Sequence, residues 1–265
     1  MSAGSYDCHA HIVDDPARFP LWPGRSYEPP VASLENYLTL LDRQSIERGV
    51  LVQPSIYGYD NRCLLDALER ADGRLTGIVV PDPATSPEQL AALHTRGVRG
   101  VRCNLLHDGG LGLETVLQWR PAMRELGWHV ELHSAIEQTD VAAWIERLDV
   151  PVVIDHMGRP TPGRCDPARP ELRRLIGLVS DGACFVKLSA PYRLSLAGAP
   201  WPDVAPLARA LANANPGRCL WATDWPHTQY PAVDDDALTA ALVAWCPDER
   251  ARRVIRSETP ALLYG

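Results

Sequence analysis

The sequence predicts an α/β chain folded as a distorted (β/α)8 barrel, and three observations carry that expectation. Short runs rich in Val, Ile and Leu recur eight times, amphipathic stretches separate them, and the runs lack the polar alternation of a sheet with one wet face. Eight strand-then-helix units with strands covered on both faces close naturally into a parallel TIM barrel. A doubly wound open sheet is the alternative. No G-x-G-x-x-G follows the first run and no G-x-x-x-x-G-K occurs, so the nucleotide-binding forms of that sheet lose their main signature. At 265 residues with 46% apolar composition, the whole of 1–265 suits a single domain of this kind.

The elements follow in order. A first run at 6–12 leads into 14–32, a proline- and aromatic-rich segment that is long for a βα connection and is expected over the barrel mouth. An amphipathic stretch at 34–46 precedes "RGVLVQPS" (48–55), and another at 63–71 precedes "LTGIVV" (75–80). Near 86 the helix signal is explicit: Ser86 caps, Pro87 suits the first helical position and Gln89 sits where a capping box places its reciprocal acceptor, which predicts a helix over 87–95. Then come "VRGVRCNLL" (98–106) with a helix at 113–126, "HVELHS" (129–134) with 138–147, and "PVVIDHM" (151–157) with 171–179. "CFVKLSA" (184–190) with 203–214 and "CLWATDW" (219–225) with 237–246 complete the eight.

Bulk properties exclude several classes of function. A formal charge of −7 with scattered basic residues gives no stripe for a polyanion, so nucleic acid is not an expected partner. Seven cysteines, an odd number without a C-x-x-C pair, fit a reducing compartment. No secretory leader pattern and no apolar run of membrane-spanning length is read, so the expected address is the cytoplasm and no membrane is involved.

Polar residues then fall at strand ends. Alternation along the first strand puts Asp7, His9 and His11 on one face and Cys8 and Ala10 on the other. His133 ends the fifth strand, His156 the sixth and Asp224 the eighth, at the end where barrel enzymes build their sites. Imidazoles plus a carboxylate suit a divalent first-row ion, zinc first and manganese second, with a position left for water or substrate. Which of His9, His11, His133 and His156 join Asp224 around the ion, and which group is left for proton transfer, the strand ends leave open. Arg102 and Asn104 on strand four, Arg159 after the "DHMG" turn and Arg193 in "APYRLS" point to an anionic substrate, since guanidinium forks bind carboxylates bidentately. Tyr27 and Tyr57 are expected to line the same pocket. Lys187 reads either as a Schiff-base lysine or as a buried partner of an acid, and His227 as a residue that orients Asp224 or as a solvent-facing loop residue.

The H-x-H of the first strand, "VIDHMGRP" (153–160) and "LWATDWPH" (220–227) together resemble the amidohydrolase superfamily, in its branch of 2-pyrone-4,6-dicarboxylate lactonase and sugar lactonases. "QPSIYGYDN", "GVRGVRCN" and "GWHV" extend the likeness through most of the chain. The resemblance implies a distorted barrel and a hydrolase that opens a lactone or cleaves an ester of a small carboxylate-bearing substrate. It maps first-strand ligands onto His9 and His11, the strand-six histidine onto His156 and the last-strand carboxylate onto Asp224, which with His133 implies the ligand set His9, His11, His133 and Asp224 and the catalytic pair Asp224 and His156. The pyrone lactonase has tyrosine at the strand-five position and works without metal, whereas this chain has His133, as metal-using branches do; metal-free catalysis stays open. One of the pyrone lactonase's carboxylate-binding arginines is represented here by Asp108, which implies fewer acidic groups on the substrate and slow turnover of the dicarboxylate. A non-oxidative decarboxylase, a metal-independent lactonase or isomerase, and a catalytically silent binding barrel are the alternatives. A homodimer is the commonest arrangement for such soluble oligomers.

Overall fold

The computed structural model describes residues 4–265. Eight strands, β1 (Tyr6–Ala10), β2 (Arg48–Val52), β3 (Leu75–Val79), β4 (Val98–Asn104), β5 (His129–His133), β6 (Val152–Ile154), β7 (Phe185–Leu188) and β8 (Cys219–Trp221), pair in that order and all in parallel. Between β8 and β1 the ring closes through isolated bonds rather than a regular ladder. Asp224 N–H donates to His9 O (3.0 Å), His11 N–H to Trp225 O (2.8 Å) and Thr223 N–H to the Asp7 carboxylate (2.9 Å). The distortion therefore lies where the histidine and aspartate motifs meet.

Helices α1 (Leu34–Arg43), α2 (Arg62–Arg70), α3 (Pro87–Thr95), α4 (Leu113–Leu117), α5 (Arg120–Glu125), α6 (Val141–Leu148), α7 (Pro170–Ser180), α8 (Ala205–Ala214) and α9 (Asp235–Trp245) follow the strands. In α3 the expected capping box is present: Gln89 N–H donates to Ser86 Oγ (3.3 Å) and Ser86 N–H to Gln89 Oε1 (2.7 Å). The single helix expected over 113–126 is two, α4 and α5, because Pro121 lacks the N–H that would bond the Leu117 carbonyl. Past α9, a short helix α10 (Glu249–Arg253), a π turn (Val254–Glu258) and α11 (Thr259–Tyr264) bring Tyr264 under the barrel, with its ring 6.4 Å from Tyr6 and 5.3 Å from His129.

The strand alternation expected for β1 breaks. Its register against β2 slips between Asp7 and Ala10, so one extra residue is accommodated there as in a β-bulge. Asp7 accordingly turns outward, accepting from Tyr37 Oη of α1 (3.1 Å) and Thr223 Oγ1 (2.6 Å). Cys8 joins the inner core with Val50, Ile78, Val153, Phe185 and Leu220, and Ala10 joins the outer one between strands and helices. His9 and His11 face inward, above that apolar plug.

Candidate functional site

Above the plug lies a fully buried layer of charge. Glu131 (β5), Asp155 (after β6), Lys187 (β7) and His9 (β1) are all without solvent exposure. Lys187, the single lysine of the chain, donates to Glu131 Oε2 and stands 3.6 Å from Asp155 Oδ1 and 3.1 Å from His9 Nδ1. Arg102 NH2 lies 3.6 Å from Asp155 Oδ2, so two carboxylates meet two cations. Burial opposes ionisation of Asp155, yet His9 and Lys187 beside it hold it well below the usual carboxylate range. This arrangement identifies Lys187 as the buried partner of acids. His9 Nδ1 sits 3.2 Å from Glu131 Oε1 and 3.3 Å from Asp155 Oδ1, which makes Nδ1 the protonated nitrogen and turns Nε2 upward.

Three imidazoles present Nε2 to one carboxylate oxygen. His11 Nδ1–H donates to Val52 O (2.7 Å), which leaves its Nε2 unprotonated. His156 Nδ1 pairs with Ser189 Oγ (2.8 Å). The Nε2 atoms of His9, His11 and His156 stand 3.6, 3.6 and 3.8 Å from Asp224 Oδ1. Those separations are long for hydrogen bonds, but a tetrahedral ion with bonds of about 2.0–2.2 Å spaces its ligand atoms roughly 3.3–3.6 Å apart. His9 Nε2 is buried with no hydrogen-bond partner among the described residues, as an ion-facing nitrogen would be. The residues present fit a divalent metal, with His9, His11 and Asp224 grouped together. Burial holds His11 down to about 4 and His156 well below its ordinary value, so both are the neutral ligands that a metal needs.

Asp224 is held on its other oxygen. Tyr192 Oη (2.6 Å) and Arg193 Nε (2.9 Å) both donate to Oδ2. Burial raises its proton affinity, but Arg193 and the surrounding histidines outweigh that and keep Asp224 well below the carboxylate range. His227 acts through this chain: Asp235 Oδ1 is 2.9 Å from its Nε2, and its Nδ1 is 3.3 Å from Tyr192 Oη. Several of these residues occupy left-handed backbone, with φ of 50° at His156, 52° at Arg159, 50° at Ala190 and 62° at Asp224. Each is an uncommon conformation for a residue with a Cβ, and such strain collects at functional sites.

Two expectations are corrected. His133 is not grouped with His9, His11 and Asp224: its Nδ1 accepts from Arg102 NH2 (3.2 Å), its ring lies 5.2 Å from that of His156, and its Nε2 is buried without a partner among the described residues, while His156 Nε2 stands 3.8 Å from Asp224 Oδ1. Tyr57 does not line the cavity, because it turns away in a 3-10 turn and accepts from Asp14 N–H (3.3 Å), while Ser55 takes the lining position. Tyr27, Arg102, Asn104, His107, His133 and Arg193 do line it. Arg159 is not among the lining residues; its NH1 donates to Arg193 O (3.1 Å), and its Nε is buried without a partner among the described residues. Sequence reading missed Glu131, Asp155 and Tyr192. The first two carried a signal, as acidic residues inside otherwise apolar strands demand an internal partner. A larger cavity lies elsewhere, beside Ser5, Arg252 and Arg256, and holds none of these groups.

The chain is similar to known proteins along nearly its whole length. The family model described as Amidohydrolase matches residues 6–265. The 4-sulfomuconolactone hydrolase of Rhizobium radiobacter is 37% identical over 270 residues, covering 99% of this chain and 90% of that protein. A 2-pyrone-4,6-dicarboxylate hydrolase of Comamonas testosteroni is 30% identical over 277 residues, covering 100% and 91%. The crystal structure of a probable 2-pyrone-4,6-dicarboxylic acid hydrolase from Acinetobacter baumannii, with citric acid bound, matches with a TM-score of 0.86 at 26% identity over 99% of both chains.

Proposed function

The chain belongs to the amidohydrolase family, and from that premise we propose that it hydrolyses a lactone ring in a small substrate bearing an acidic group. Residues 1–265 serve as one catalytic domain. The observation that carries the reading is the convergence of three Nε2 atoms on Asp224 Oδ1 at the C-terminal mouth of the barrel. The lactone hydrolases among its relatives support the choice of bond.

His9, His11 and Asp224, with His156 beside them, are the residues that would hold a divalent ion, zinc before manganese. When bound, such an ion polarises a carbonyl and acidifies water. The protein's own groups do the rest. Asp224 accepts the proton of the attacking water through Oδ1, while Tyr192 and Arg193 fix Oδ2. The hydroxyl adds to the carbonyl carbon, and Nε2–H of His133, backed by Arg102, donates to the oxygen that gains charge. The ring C–O bond then breaks with its electron pair on oxygen, and Asp224 returns the proton to that oxygen. The net change is addition of one water to give a hydroxy acid or its enol tautomer. Arg102, Asn104, Arg159, Arg193 and Tyr27 bind the substrate.

All seven cysteines are free, buried thiols, which supports a reducing compartment and hence the cytoplasm. No helix among the described residues is long and apolar enough to cross a membrane. The homodimer belongs to the same reading and is checked by light scattering. The test of function is a pH-indicator screen against a panel of lactones and esters, with zinc or manganese supplied and withheld. Opening of at least one anionic lactone is the expected result; release of carbon dioxide without ring opening favours decarboxylation instead.

A further inference from the structure

His107, on the loop after β4, lines the mouth cavity and takes no part in the mechanism above. Its Nδ1 is 2.9 Å from Ser26 Oγ, and its ring meets the Tyr27 ring edge-on at 5.8 Å, so the long 14–32 segment orients it from one side. Its ring lies 6.3 Å from that of His133, which places it one ring outward from the proposed carbonyl site. Around it the charge is cationic and partly unspent. Arg193 is committed to Asp224 and Thr228 O, and Arg102 to Gln53 O, His133 and Asp155. Arg159 is not itself in the lining: its NH1 donates to Arg193 O (3.1 Å), its Nε has no partner, and no carboxylate pairs with it among the described residues. A part-buried guanidinium without a counter-ion beside a second guanidinium is an arrangement that an anion stabilises.

We propose that His107, oriented by Ser26, is a specificity-determining residue that donates its Nε2–H to the acidic substituent of the substrate while Arg159 supplies the charge. The proposal rests on the lactone hydrolase reading for its substrate and on the cavity geometry for its site. Partial burial, together with Arg102, Arg193 and Arg159, lowers the proton affinity of His107, so it enters as a neutral imidazole with one N–H. An anion in the cavity selects the tautomer with that proton on Nε2, and the Ser26 hydroxyl turns to donate to Nδ1.

Citrate is the first probe, because its binding by calorimetry requires no turnover. His107→Ala should weaken citrate binding about 10- to 100-fold, the range for losing a hydrogen bond to a charged group. His107→Gln, which keeps an N–H donor, should recover most of the loss, and Ser26→Ala should fall between. Equal citrate affinity in His107→Ala and the unaltered protein overturns the proposal, as does failure of the unaltered protein to bind citrate. A Gln variant no better than Ala does the same, since a packing role alone would then suffice. With a carboxymethyl-substituted butenolide as substrate, the Ala variant's loss should fall on KM more than on kcat. If the unaltered protein opens no lactone, the hydrolase reading fails while the citrate series still decides the anion site.

Discussion

Replacing Lys187 by methionine tests the buried charge layer beneath the site. The methionine keeps most of the stem volume, so the loss is electrical rather than a matter of packing. In the native layer Lys187 and Arg102 face Glu131 and Asp155, and none of the four side chains is more than 4% exposed. Without the ammonium, one carboxylate is left buried and uncompensated. Removing one member of such a buried pair costs about 3–5 kcal/mol. At about 2.1 cal/mol/K per residue, 265 residues unfold with an entropy of about 0.56 kcal/mol/K, so the melting temperature should fall by about 5–9 °C. Urea unfolding followed by circular dichroism at pH 7 measures the change. The double variant Lys187→Met/Glu131→Gln restores the charge balance and should recover at least half of it. A single-variant loss under about 1 kcal/mol, or a double variant no more stable than the single, refutes the reasoning.

Asp224→Asn should reduce kcat by at least about 100-fold, the scale for losing a general base; near-normal turnover would exclude Asp224 from that role. Dialysis against a chelator should abolish activity and zinc should restore it, with elemental analysis of the untreated protein near one ion per chain; full activity in ion-free protein removes the metal from the reading. His129 is buried with both ring nitrogens unpartnered among the described residues, and burial holds it down to about 4, against about 6.5 in an unfolded chain. Unfolding therefore takes up a proton between those values: its contribution is present above about pH 6.5 and is lost as pH falls toward 4, at about 1.4 kcal/mol per pH unit. His129→Leu should flatten the acid slope of stability by about that amount and match or exceed the native stability at pH 7, and an unchanged slope in a urea series from pH 7 to 4.5 counts against it.

Much of this molecule is legible in its sequence. The eight strands are audible in the sequence because strands buried on both faces need continuous apolar runs, and His9, His11, His156 and Asp224 stand out as polar residues at the ends of those runs. The Ser86 capping box is local chemistry and survived intact. What failed depends on neighbours distant in the chain. Asp7 shares strand parity with His9 on paper, but a bulge against β2 turns it toward Tyr37 and Thr223. His133 looks like a ligand until Arg102, one strand away, claims its Nδ1. Tyr57 looks like a pocket residue until the turn Ser55–Tyr57 rotates it toward Asp14. Lys187 was ambiguous because only the fold brings Glu131 and Asp155 to it.

That lysine also gives the chain an unusual chemical surface. Every other basic side chain apart from histidine is arginine, so the folded molecule offers acylating reagents no ε-amine at all. Succinimidyl esters should leave its side chains untouched in the native state and mark one position once the barrel opens, which makes the rate of acylation at that nitrogen a direct clock for global unfolding.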